Sequence, residues 1–207
     1  MVTTTCLLLL AATGGSGPAV EARRLATVPA DARLKRIFPG PGPERLGYVA
    51  RRGVKEFAVV DGVRGQDFDA IPAPIAFSPA GGRHAYVARR GAEEFAVVDG
   101  SPREGYDKIE HLSYSPDGKR LAYVGSLGKR KHCVLGEERG EEFDSITAPL
   151  LFSPDSKHLA FVASRGGKEF VVVDGTPQEP FDLVLQPLSW NPDGRDRKST
   201  RLNSSHT

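Results

Sequence analysis

The chain is poor in cysteine, methionine and tryptophan, has no long apolar stretch, and carries almost no excess of either charge. Cys6 and Cys133 are the only two cysteines. If the N-terminus is removed, as argued below, Cys133 stands alone and no internal disulfide can form. The apolar run from Cys6 to Ala12 is far shorter than the roughly 20 residues a membrane-spanning helix needs, so no membrane span is expected. Lys and Arg number 28 against 26 Asp and Glu. Without a basic block, composition gives no reason to expect a nucleic-acid partner. Three chemical signatures are also missing: the G-x-S-x-G nucleophile elbow, a Walker-type phosphate loop and the H-E-x-x-H zinc motif. The histidines fall at unrelated positions. No catalytic residue, cofactor or metal site is therefore expected.

Gly (23) and Pro (16) are plentiful instead, which points to many tight turns. The two ends read differently from the middle. Leu7-Leu8-Leu9-Leu10-Ala11-Ala12 suits the apolar core of a secretory signal peptide, and Val20-Glu21-Ala22 suits small-x-Ala cleavage. Residues 1–22 are thus expected to be an export signal and 23–33 a linker. The basic residues that usually precede such a core are missing. At the other end, Asp196 to His206 resembles the conceptual translation of a sequencing-library adapter. Residues 195–207 are accordingly expected to be an artefactual, disordered tail.

Between these ends the chain repeats itself. Phe77-Ser78-Pro79 returns as Tyr114-Ser115-Pro116 and Phe152-Ser153-Pro154, and more loosely as Phe38-Pro39 and Trp190-Asn191-Pro192. Tyr48, Tyr86, Tyr123 and Phe161 form a second series. Val-Val-Asp-Gly ending at Gly62, Gly100 and Gly175 forms a third. Phe68-Asp69, Tyr106-Asp107, Phe143-Asp144 and Phe181-Asp182 form a fourth. The spacing is about 38 residues in each series, and agreement among four markers makes an internal repeat the simplest explanation.

Each unit reads as four short strands. A first strand ends at the aromatic-Ser-Pro marker, and Asp117-Gly118 illustrates the hairpin turn that follows. Leu121-Ala122-Tyr123-Val124 is a second strand and Phe170-Val171-Val172-Val173 a third. A shorter fourth surrounds the Phe-Asp marker. Strands two and three are apolar on both faces, so a lone sheet leaves greasy surface in water. Stacking sheets radially, blade on blade, buries both faces.

Ser115-Pro116-Asp117-Gly118-Lys119-Arg120-Leu121-Ala122-Tyr123-Val124 resembles the repeat of TolB-type, WD40-like β-propellers. Ser153 to Val162 resembles it equally. The turns at Ala80-Gly81-Gly82 and Gly40-Pro41-Gly42-Pro43 depart from it. The resemblance covers residues 34–194 and implies an all-β propeller of about four four-stranded blades (34–71, 72–109, 110–147, 148–185) plus the start of a fifth (186–194). Family members usually close with six or more blades, so an incomplete ring is expected. An open apolar blade face would favour self-association.

Candidate sites are few. Asp61, Asp99 and Asp174 invite a ring-of-carboxylates reading, but Asp before Gly is turn chemistry. Asp69, Asp107, Asp144 and Asp182 are read the same way. His132-Cys133 replaces the Phe-Ala of other units and His84 replaces Leu. These are read as core substitutions rather than ligands, because adjacent strand residues face opposite ways. Arg51, Arg52, Arg89, Arg90 and Arg165 precede the second turn of their units and would line one rim of the disk. Lys55-Glu56, Glu93-Glu94 and Lys168-Glu169 follow and read as solvated loops.

TolB-like proteins take part in periplasmic protein assemblies. The resemblance therefore implies a non-enzymatic scaffold with protein partners, periplasmic or secreted if the export signal holds and cytoplasmic otherwise. Two alternatives stand: the N-terminal propeller of a larger hydrolase or peptidase, and a propeller binding a small molecule or sugar in its central channel.

Overall fold

The computed structural model describes residues 4–11, 20–42, 44–191 and 197–202. Every regular element among them is a strand. Sheet one holds β3 (Arg33–Pro39), β4 (Leu46–Arg52), β5 (Lys55–Val60) and β6 (Val63–Phe68). Sheet two holds β7 (Ala76–Phe77), β8 (His84–Arg90), β9 (Glu93–Val98) and β10 (Ser101–Tyr106). Sheet three holds β11 (Lys108–Tyr114), β12 (Leu121–Leu127), β13 (Arg130–Leu135) and β14 (Glu138–Phe143). Sheet four holds β15 (Ser145–Phe152), β16 (Leu159–Arg165), β17 (Lys168–Val173) and β18 (Thr176–Phe181). In each the strands lie side by side in chain order, antiparallel throughout.

The residue pattern accounts for this. In β4 the five residues from Leu46 to Ala50 are all buried, and in β5 so are Glu56 to Val60. Residues on both faces of the pleat are covered, which requires a neighbour on each side. The neighbours are the adjacent sheets. Phe68 and Ile71 pack with Tyr86 and Val97 between sheets one and two. Tyr106 packs with Tyr123 between two and three, and Phe143 with Phe161 between three and four, each pair edge to face. The first strands β7, β11 and β15 approach one another, so they lie toward the common axis. The fourth strands are exposed or half-buried apart from their buried terminal aromatic residue. The fold is that of β-propeller blades: four complete sheets and the first strand of a fifth, set along an open arc.

The sheets begin a little earlier than the repeat alone suggests. β11 starts at Lys108, β15 at Ser145 and β19 (Leu183–Trp190) at Leu183, ahead of the expected 110, 148 and 186. The Phe-Asp marker itself closes each sheet, so the next strand follows at once.

Both ends depart from expectation. The segment 23–33, expected to be a linker, includes the end of a strand. β2 (Val20–Val28) pairs antiparallel with β1 (Thr4–Ala11). Val28 is buried with Tyr48, Ala50, Phe57 and Val59, and the Tyr48 hydroxyl donates to the Thr27 carbonyl at 2.8 Å. The physical reason is that the free apolar face of sheet one must be covered, and this segment covers it. Asp31-Ala32 moreover sits one period before Asp69-Ala70, so the repeat extends to it. At the other end, β20 (Arg197–Leu202) pairs with β19, where part of the tail was expected to be disordered. An unpaired strand edge offers free N–H and C=O groups, and residues 197–202 satisfy them. Residues 195, 196 and 203–207 lie outside the described residues.

Candidate functional site

The turn between the second and third strands brings the expected arginines to one face of the arc. Arg51, Arg52, Arg89, Arg90 and Arg165 are all exposed there. They are not loose. Arg52 lies over the Phe57 ring at 5.7 Å and pairs with Asp31 at 2.8 Å. Arg90 lies over Phe68 of the preceding sheet at 5.1 Å and over its own Phe95 at 6.0 Å. Arg165 repeats this over Phe143 (5.3 Å) and Phe170 (5.6 Å), and pairs with Glu141 at 3.0 Å. A planar cation on an aromatic face is held at a defined angle while its edge stays in water. Sheet three has Leu127 in this register. Arg51 donates from Nε to the Gly53 carbonyl at 3.0 Å. The Arg89 backbone pairs across sheets with Asp69 and Ala70. Val54, 74% exposed, stands at a turn tip of the same face.

The Phe-Asp aspartates join neighbouring sheets on this face. Asp69 accepts from the Gly91 amide at 2.7 Å, Asp107 from Gly128 at 2.6 Å and Asp144 from Gly166 at 2.8 Å. In each case the amide belongs to the next sheet's turn. Lys55 and Arg130 reach Asp69 and Asp144 from the same sheet. The hydrogen bonds from Lys55 and then Gly91 hold the Asp69 carboxyl below its ordinary range. The turn-amide reading of these residues was right in kind, but the turn lies one sheet further on.

The solvated-loop reading holds for exposed Glu93 and fails for Glu56, Glu94 and Glu169. Glu56 is 5% exposed and accepts from the Ile71 amide at 2.9 Å. Glu94 accepts from Ile109 at 2.8 Å and Glu169 from Val184 at 2.6 Å. Each carboxylate caps the amide at the start of the next sheet. Burial raises the Glu56 carboxyl, yet Lys35 and the Ile71 amide together hold it below its usual range. Sheet three has Lys131 at this position, and it pairs with Glu110 at 2.7 Å. Hydrogen bonds from Lys108 and Lys131 bring Glu110 down to about 2.

The opposite face carries the Ser-Pro turns. Asp61, Asp99 and Asp174 do not point into a channel. Each accepts from the first amide of its own second strand, at Leu46 (3.0 Å), His84 (2.9 Å) and Leu159 (2.9 Å). Their φ angles are 49°, 50° and 49°, followed by Gly at about 80°, as a type I′ hairpin turn demands. Ser115 and Ser153 are fully buried. Each hydroxyl donates to an aspartate, Asp117 or Asp155, and accepts the amide of Arg120 or His158.

Sequence reasoning missed a register here. Arg45, Arg83, Arg120 and His158 recur at the repeat spacing. Arg45 pairs with Asp61 at 2.7 Å, Arg83 with Asp99 at 2.9 Å and His158 with Asp174 at 2.6 Å. Three of the four stack on the next sheet's aromatic marker: Arg45 on Phe77, Arg120 on Phe152 and His158 on Trp190. The signal was the spacing itself, hidden among other charged turn residues.

His132 and Cys133 are buried in sheet three. His132 Nδ1 lies 3.3 Å from the Gly140 carbonyl, and burial pushes the Cys133 thiol up to about 12. Among the described residues no group of three or more histidine, cysteine or acidic side chains gathers as a metal site would require.

No family model matches the chain, and no curated protein matches it. Its fold is similar to several solved propellers. The β-propeller domain of the trilobed protease from Pyrococcus furiosus, described as having an open velcro topology, is 15% identical over 73% of this chain and 57% of its own, with a TM-score of 0.47. TolB from Acinetobacter baumannii is 18% identical over 91% and 52%, with a TM-score of 0.42. The Dos1 propeller is 7% identical over 81% and 52%, with a TM-score of 0.46. The chain spans little more than half the length of each.

Proposed function

We propose that this chain is part of a non-enzymatic propeller scaffold that binds a protein partner on the hairpin face. One observation carries the reading. Arg52, Arg90 and Arg165 stand in one register, exposed, with their guanidinium planes fixed on phenylalanine rings. Cations held in place lose little freedom when they meet carboxylates, which favours binding an acidic protein surface. Val54 adds apolar contact at the same level.

Export to the periplasm or cell exterior belongs to the same proposal, on the apolar run of residues 7–12. Cell fractionation tests that part. The binding part is tested by pull-down with the complete protein, wild type against a variant carrying Arg51, Arg52, Arg89, Arg90 and Arg165 all changed to Glu. A partner retained by wild type, released by salt and lost in the variant supports the scaffold. Recovery of no partner, together with measured hydrolytic activity, overturns it.

A further inference from the structure

A cavity of about 480 Å³ opens between sheets one and two, away from the hairpin face and from the axis. That volume lies within the range of sites that hold small molecules. It opens where the fourth strand of sheet one carries a glycine, as the fourth strand of sheet three also does at Gly140. In sheet one the third residue of the fourth strand faces Tyr86, the second-strand aromatic of the next sheet, and the same repeat position holds other residues before sheet one and in sheet two. In the segment before sheet one that residue is Thr27, whose carbonyl accepts from Tyr48. After sheet two it is Arg103, whose long side chain pairs with Glu137. After sheet one it is Gly65, and no side chain fills the space. A Cβ there would lie 3.0 Å from the Tyr86 hydroxyl.

Tyr86 is 1% exposed and lines the cavity, and its hydroxyl has no hydrogen-bond partner among the described residues. The ring is buried while the hydroxyl opens into the cavity, where it is free to accept from or donate to whatever enters. Ser101, Gln66 and His84 add polar groups at the wall, and Ala58, Val60 and the 74% exposed Val63 form an apolar floor.

The charges at the wall are already committed. Arg64 bonds Asp67 at 2.6 Å and lies on the Phe57 ring at 4.3 Å. Asp99 is engaged by Arg83 and by the His84 amide. Burial lowers the His84 pKa, and this outweighs the nearby Asp99, so the imidazole is neutral at pH 7. A phosphate would have to displace Asp67 from Arg64, and an amine would have to displace Arg83 from Asp99. Neutral hydroxyls over an apolar floor suit a sugar, with its C–H face on the floor and its hydroxyls at Tyr86 and Ser101.

We infer that the cleft between the first and second sheets binds a neutral sugar of one or two rings. The test is ligand-observed NMR and calorimetry on the full chain. The probes are glucose, galactose, N-acetylglucosamine and maltose, set against glucosamine, glucuronate and inorganic phosphate. The expected result is saturable binding of at least one neutral sugar, weakened about tenfold by Tyr86→Phe, which removes one hydrogen bond. Gly65→Arg places in the cleft the residue that the next repeat carries there. It should abolish binding while the melting temperature stays within a few degrees of wild type. Absence of saturation by every neutral sugar at tens of millimolar overturns the inference. So does tighter binding of the charged probes, or binding unchanged in a folded Gly65→Arg protein.

Discussion

Sheet three and its neighbours solve the same packing problem with different residues. Sheets one, two and four close their third strand on Asp-Gly, stack an arginine on a phenylalanine ring and cap the next sheet with a glutamate. Sheet three has Gly136, Leu127 and Lys131 at those positions. It also has His132 where the others have phenylalanine. Yet its strands pair in the same register, and its faces are as well buried. The polar contacts are therefore replaceable one at a time. The aromatic contacts between sheets are not replaced anywhere: Phe68, Tyr106, Phe143 and Phe181 are all buried.

The difference can be sharpened by substitution. The largest effect is expected at the shared element. Phe143→Ala should cost about 3–5 kcal/mol in denaturant unfolding, since it empties the contact with Phe161 and removes the platform under Arg165. Next comes the position where sheet three has adapted to its neighbour. Sheets one, two and four place Ala50, Ala88 and Ala163 against the preceding sheet, whereas sheet three places Gly125 under Tyr106. A Cβ there would approach the Tyr106 ring to 2.4 Å. Gly125→Ala should therefore destabilise by about 1–3 kcal/mol, although it is conservative in size. Combining it with Tyr106→Leu should relieve much of that loss.

The polar contacts should matter less. Asp174→Ala removes the carboxylate that accepts from Leu159 and leaves an alanine at positive φ, so about 1–2 kcal/mol is expected. Asp174→Gly, which copies sheet three, should cost less because glycine accepts that φ freely. Arg165→Leu, copying Leu127, should change stability by no more than about 0.5 kcal/mol. If it costs as much as Phe143→Ala, the arginine register is structural and the hairpin face loses its argument for binding.

Acid should act on all sheets together. Asp69, Asp117, Asp155 and Glu110 have carboxyl groups held below their ordinary values by hydrogen bonds from Lys55, Ser115, Ser153 and Lys108 in turn. Groups with depressed values stabilise the fold above their unfolded pKa and lose that contribution as pH falls through the folded value. The melting temperature should hold from pH 7 to about 5 and then fall as the pH drops through the lowered values, that of Glu110 being about 2. A melting temperature that rises on acidification would contradict these contacts.

Much of the fold was legible in the sequence. Aromatic and β-branched residues at a fixed spacing, with Asp-Gly turns, report directly on short strands and on their number. The signal at Asp31-Ala32 was equally regular, but it lay within a stretch whose composition resembles a linker. The site was less legible. Glu56 looks solvated because its partner, the Ile71 amide, belongs to another sheet and leaves no mark on composition. The cleft beneath Tyr86 arises from a missing side chain at Gly65, and a glycine among many glycines carries no such message on its own.

The Asp-to-turn bonds span 21 or 22 residues and the Glu-to-amide bonds 15, and every one points from a sheet to its successor. A chain that emerges N-terminus first thus finds each new strand's anchor already in place. Folding can advance from the N-terminal side, each sheet laid upon the last, and no distant sequence is needed before the next layer sets.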